Sequence, residues 1–288
     1  MRRRRFLPLL GVGMLLPLKA GVARAASSRG QLLAAPLEVG SNWGGSAPTD
    51  VAAVVGRMRA ACLAGVTLLS DRQPERLRVD AGSGSNPSVR LHAGAPTTAW
   101  VAVIVGTRDW CNLAYQFGHE LGHVFCNSWE ADARPRNPSQ WLEEALVEAF
   151  SLRGLALLAD GWARSPPFAN DGAYAGSIRS YRETILARYR AAAQEQGAGA
   201  GFGAWFKARE AFFHRHGGVD AARGAVSTML GLLESDADMV ADMGALNRWP
   251  GRSGIPLHDY LGHWAKSCAE LNAPGRLPGR IRELLAPS

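Results

Sequence analysis

The stretch Gln116–Phe125, "QFGHELGHVF", sets His119 and His123 four residues apart, with Glu120, Leu121 and Gly122 between them. On an α-helix that spacing places both imidazoles on one face, about 5–6 Å apart at Cβ, where they can share one divalent ion. Glu120 is offset around the helix, so its carboxylate can reach a water held by the ion without being a ligand itself, the H-E-x-x-H arrangement. The alternative is a pair of core histidines one turn apart. A third ligand elsewhere in the chain would decide for the metal.

Working outward, Asp109 starts the helix, and the pattern carries it to about Asn127. Before it, "TTAWVAVIVGT" (Thr97–Thr107) is β-branched and almost continuously apolar, which predicts a strand buried on both faces or lining a cleft. Further back, Thr49 or Asp50 can cap a helix to about Ala64, with Val51, Val54, Val55, Met58 and Cys62 on one face. Two short strands follow, "RLRVD" (Arg76–Asp80) and "VRLHA" (Val89–Ala93), joined by a turn-rich segment. After the motif a polar, proline-containing loop leads into "WLEEALVEAFSLRGLALLAD" (Trp141–Asp160), a second helix ending near Gly161. From Tyr174 onward the patterning is mostly helical. The glycine-rich run Gly197–Gly203 reads as a loop or hinge.

The second helix offers the missing ligand. Glu143, Glu144 and Glu148 sit among Leu142, Ala145, Leu146, Val147, Ala149 and Phe150. Carboxylates in so apolar a helix need a metal or a cationic partner. Glu143 and Glu144 compete for the ligand role, about 100° apart around the helix. Trp141–Phe150, "WLEEALVEAF", resembles the gluzincin segment W-L-x-E-G-x-A-E-Y of zinc aminopeptidases and their relatives, with Ala145 in place of the glycine. That resemblance implies Glu144 as third ligand and Glu148, one turn later, as a carboxylate that orients a ligand histidine. The metzincin continuation fails, because Cys126 and Trp129 occupy its glycine and final histidine positions. The aminopeptidase G-x-M-E-N segment is absent.

The resemblance implies an α+β, zincin-like fold: a small mixed β-sheet packed on the H-E-x-x-H helix and the glutamate helix, followed by a mostly helical C-terminal half. It implies an exported zinc metallopeptidase with Zn²⁺ on His119, His123 and Glu144, Glu120 as general base, and a peptide or protein as substrate. In that fold an edge strand just before the motif helix lines the cleft, a place that Thr97–Thr107 takes in chain order. A Tyr or His from the C-terminal half usually helps to polarise the carbonyl, and the sequence offers Tyr174, Tyr181, Tyr189, His214, His216, His258, Tyr260 and His263. A zincin-like periplasmic binding or structural protein without peptidase activity is the competing expectation.

The formal net charge of +7 invites a nucleic-acid reading. Six basic residues and no acid lie in residues 1–25, however, which leaves +1 for the rest, and no nucleic-acid partner is expected. Those residues read as an export signal: four arginines, the apolar "FLPLLGVGMLLPL", and Ala23-Arg24-Ala25 before a cut near Ala26. "RRRFL" (Arg3–Leu7) resembles the twin-arginine signal. The expected layout is a signal over 1–25, a catalytic subdomain over 26–170 and a helical subdomain over 171–288. The expected location is periplasmic or secreted, with no membrane span after signal removal. Cys62, Cys111, Cys126 and Cys268 allow two disulfides in three connectivities, or buried thiols.

Overall fold

The protein is described by a computed structural model covering residues 31–286, apart from Ser85, His92, Ala93, Ala131, Asp132 and Arg134. The expected export signal lies outside the described residues. No described helix is long and apolar enough to cross a membrane.

Among the described residues four strands form one mixed sheet: β1 (Leu37–Val39), β2 (Arg76–Ala81), β3 (Ser88–Leu91) and β4 (Thr98–Val103). Their order across the sheet is β1-β2-β4-β3. The first three neighbours run parallel, whereas β3 lies antiparallel to β4, pairing Ser88 with Ala102 and Arg90 with Trp100. Strand alternation holds from Leu77 to Val79 and from Ala99 to Val103. Leu77 and Val79 on β2 and Ala99, Val101 and Val103 on β4 are buried, and the intervening Arg78 and Trp100 are not. The outer face is dressed by Arg90, whose guanidinium lies 4.1 Å from the Trp100 ring centroid.

Two expectations are corrected here. The strand in Thr97–Thr107 is neither an edge strand nor buried on both faces. It is internal, between β2 and β3, and its near-continuous apolar run serves one buried face and one half-exposed face. The edge beside the cleft is β3, and β2 and β3 are not neighbours because β4 inserts between them.

Helix α1 (Pro48–Cys62) starts at Pro48 after Ala47, with no side-chain cap, so neither Thr49 nor Asp50 serves as its cap. A proline in the first turn has no N–H to satisfy, which makes it a competent start. Helix α2 (Trp110–Phe125) is capped by Asp109, whose carboxylate accepts from the Asn112 N–H at 3.3 Å. It stops before Asn127, which takes φ +63°. Helix α3 (Gln140–Arg164) runs on past Gly161. The C-terminal half is helical, as expected: α4 (Tyr174–Glu195), α5 (Phe202–Phe213), α6 (Val219–Ala222), α7 (Val226–Ser235), α8 (Ala237–Met243), α9 (Leu257–Leu271) and α10 (Arg276–Leu285). A short 3₁₀ turn, Ala198–Ala200, interrupts the glycine-rich run.

What positions the site is the close approach of α2 and α3. Gly118 and Gly122 face α3. A Cβ on Gly122 would lie 2.8 Å from Val147 Cβ and 3.2 Å from its Cα, and one on Gly118 would lie 2.7 Å from Ser151 Oγ. Ser151 Oγ in turn donates to the Tyr115 carbonyl at 2.8 Å, tying the helices together. Phe117 and Leu121 of α2 and Val147 and Phe150 of α3 are fully buried.

Candidate metal centre

His119 and His123 project from α2 and Glu144 from α3, all buried, and one ligand atom of each lies within 4.8 Å of the others. The two Nε2 atoms are 3.2 Å apart, and Glu144 Oε2 is 3.8 Å from the first and 3.7 Å from the second. Two nitrogens about 2.05 Å from a tetrahedral ion would be about 3.3 Å apart, so the imidazoles already span the right edge, and the carboxylate oxygen stands only slightly wide.

Both rings are held from behind. His123 Nδ1 is 2.8 Å from Glu143 Oε1. Glu143 Oε2 accepts from Asn247 Nδ2 at 2.8 Å, and Asn247 Oδ1 accepts from the buried Tyr260 hydroxyl at 3.0 Å. Asn247 Nδ2 also faces the Cys126 carbonyl at 3.1 Å and Ser128 Oγ at 3.0 Å, so its orientation is fixed. On the other side His119 Nδ1 lies 3.1 Å from Glu148 Oε1, close enough for a charge contact though off the line of a full hydrogen bond. The Tyr115 hydroxyl donates to Glu148 Oε2 at 2.7 Å and touches the Tyr189 hydroxyl at 3.4 Å.

With each Nδ1 turned to a carboxylate, each Nε2 faces the other and the Glu144 oxygen. Three electron-pair donors converging on one point repel unless a cation, proton or metal, sits among them. The electrostatics agree. Burial pushes both imidazoles toward neutrality, yet the Glu148 carboxylate beside His119, and Glu143 and Glu144 beside His123, hold their pKa values above the usual one. Burial likewise opposes ionisation of Glu144, but His123, His119 and Gln140 hold its carboxyl down to about 2. The residues present therefore fit a divalent metal with mixed nitrogen and oxygen ligands, a set that several first-row metals accept.

Glu120 is 4.0 Å from His119 Nε2 through its Oε1 and lies outside the ligand triangle. Burial raises its pKa above the ordinary carboxylate value, against the pull of the two histidines.

These groups open on a cleft of about 1070 Å³. Asn86–Val89 at the start of β3, Asn112, Tyr115 and Gln116 of α2, and the segment Arg215–Ala221 leading into α6 line it together with the candidate ligand residues. Gln116 clamps the end of β4: its Oε1 accepts from the Ile104 N–H at 2.7 Å and its Nε2 donates to the Ile104 carbonyl at 2.7 Å.

The structure brings together His119, Glu120, His123, Glu144 and Glu148, and separates the two competing glutamates by role. Glu143 faces His123 Nδ1, and Glu144 faces the Nε2 atoms. Of the tyrosines and histidines offered to polarise a carbonyl, only His216 lines the cleft. Tyr260 instead supports Asn247, Tyr181 donates to Asn112 Oδ1 at 3.2 Å, and His263 stacks on Trp249. Tyr115 was not among those candidates, although it lies four residues before His119 and so shares its face. Asn247 carries no local signal beyond tolerance of φ +56°. All four cysteines are buried free thiols, and Cys111 Sγ bonds the Tyr174 hydroxyl at 3.3 Å. Comparison with protein-family models, with curated protein sequences and with solved structures finds no match, so the case for the site rests on its own geometry.

Proposed function

We propose that the chain is an exported zinc metallopeptidase of gluzincin type on a zincin-like fold. The observation that carries this reading is the convergence of His119 Nε2, His123 Nε2 and Glu144 Oε2, with the Glu120 carboxylate beside them and outside the triangle. A zinc ion bound there would act as Lewis acid toward a scissile carbonyl and lower the pKa of water toward about 7.

The chain's own residues account for the rest. Glu120, with its pKa raised by burial, suits a group that takes the proton of the attacking water and returns it to the leaving amine. Glu143 bonds Nδ1 of His123 and Glu148 lies beside Nδ1 of His119, carboxylates that favour protons on the Nδ1 atoms and leave Nε2 free to bind metal. Edge strand β3 borders the cleft at Ser88 and Val89, where an extended peptide can add its backbone to the sheet. A base beside the triangle also favours hydrolysis over a purely structural metal site, which has no use for one.

The test is to purify the mature protein, measure bound metal, and assay peptide hydrolysis beside Glu120→Gln. Stoichiometric zinc and activity lost in Glu120→Gln are expected. Metal-free protein, iron in place of zinc, or activity indifferent to Glu120 would refute the reading.

A further inference from the structure

The segment Arg215–Asp220, which follows α5 and runs into α6, forms one wall of the cleft and is firmly mounted. The Phe213 ring stacks on Trp141 of α3 with centroids 4.6 Å apart, and Phe212 stacks on His216 at 4.3 Å. Gly217 is buried against Asn137 and Gln140, where an added Cβ would lie 2.7 Å from Gln140 Cβ. The segment is thus seated on the first turn of α3, the helix that presents Glu144 to the metal triangle.

Arg215 lines the cleft and is exposed, and no carboxylate among the described residues lies within ion-pair distance of it. The nearest acids in sequence on either side are engaged elsewhere: Glu210 pairs with Lys207 at 3.1 Å and Asp220 with Arg223 at 2.9 Å. Arg209, on α5, lies over the Phe212 ring at 4.6 Å. The other ionisable Asp, Glu and His side chains lining the cleft are Glu120, Glu144, Glu148 and Asp220, with His119, His123 and His216. Arg215 is the one lysine or arginine among the described lining residues, and its guanidinium fork matches a carboxylate with two parallel N–H donors.

We infer that Arg215 determines specificity by binding a carboxylate of the peptide substrate. The assignment rests on the peptidase reading and adds the substrate class: peptides carrying an acidic side chain, or a free C-terminus, near the scissile bond. Both sources present the same chemistry to the guanidinium, and two arms of one experiment separate them.

The zinc-loaded Glu120→Gln protein is titrated calorimetrically with short N-acetylated peptides in matched pairs. One pair has Glu or Gln inside an amidated peptide, and the other has a free or amidated C-terminus. For a solvent-accessible pair at low salt the carboxylate member should bind about two- to fivefold tighter in at least one arm. That preference should vanish with Arg215→Gln and survive in part with Arg215→Lys. Equal affinities within both pairs, a preference that persists in Arg215→Gln, or no binding by any peptide would each overturn the assignment. Zinc stoichiometry on the same sample keeps the two readings apart. Zinc-loaded protein without carboxylate preference removes only the role of Arg215, whereas protein that takes no zinc removes the peptidase reading and this assignment with it.

Discussion

Glu143→Gln removes a single negative charge from a fully buried position and changes almost no volume. In the native protein Glu143 is acceptor only, taking one hydrogen bond from His123 Nδ1 and one from Asn247 Nδ2, both at 2.8 Å. The amide must turn one donor toward one of these partners. Facing Asn247, it opposes an N–H₂ that also serves Cys126 and Ser128 and whose Oδ1 is taken by Tyr260, so Asn247 has no free flip to relieve the conflict. Facing His123, it forces the imidazole proton onto Nε2, the atom that would bind the proposed metal. Either arrangement leaves one buried donor unmatched, a cost of about 1–3 kcal/mol in folding stability. Loss of the carboxylate behind a metal-binding imidazole should weaken zinc binding by about 10- to 100-fold, or about 1.4–2.7 kcal/mol. Competition with a chromophoric chelator at neutral pH reads the affinity, and urea unfolding of metal-free protein reads the stability. Glu144→Gln should lose more zinc affinity than Glu143→Gln, because it removes a ligand instead of its support. Unchanged affinity in Glu143→Gln would refute the orienting role, and a greater loss there than in Glu144→Gln would exchange the two roles.

Other outcomes follow from the same geometry. Gly122→Ala gains about 1 kcal/mol in helix propensity, but overpacking against Val147 costs about 1–3 kcal/mol, so a net loss in the urea midpoint is expected. Gly262→Ala on α9 meets nothing within 4 Å and should show only the gain, which makes it the control. Zinc affinity should go on rising with pH beyond the range in which an unperturbed histidine titrates. His119 and His123 have raised pKa values in the metal-free protein, so protons compete for the same nitrogens until pH passes those values; a pH-independent affinity would contradict the pairing with Glu148 and Glu143. A thiol reagent such as Ellman's should find no reactive cysteine in the native protein and four after denaturation without reductant, and fewer than four would reveal a disulfide.

Parts of this architecture are legible without coordinates. Asp109 as a cap, the His119–His123 spacing and the apolar run around Glu144 and Glu148 are all local signals, readable within a few residues. The helical character of the C-terminal half is local in the same sense, although α8 and α10 are too short and too charged to stand out. The cleft edge is misplaced by the sequence reading because strand order is not local. Nothing within Thr97–Thr107 says that β3 returns antiparallel to its outer side and leaves β4 internal. The cleft wall at Arg215 and the support at Asn247 escape it for a related reason. Asn247 stands 104 residues from the Glu143 it anchors, and no periodicity reaches that far.

The choice between Glu143 and Glu144 marks the boundary most clearly. Helix geometry alone says that the two diverge by about 100°, and that one of them can face what the other cannot. Which one faces the histidines depends on how α3 is rotated against α2. That rotation is set where Gly118 and Gly122 let Val147 and Ser151 come close, and where Tyr115 and Asn247 catch the outlying carboxylates. The sequence by itself determined the spacing of the two histidines, the position of Glu120 and the presence of buried acids one helix away, because backbone hydrogen bonding fixes those relations within a single turn. Only the tertiary structure decided which acid completes the triangle and which holds a ring in place, because that depends on side-chain packing between segments brought together by the fold.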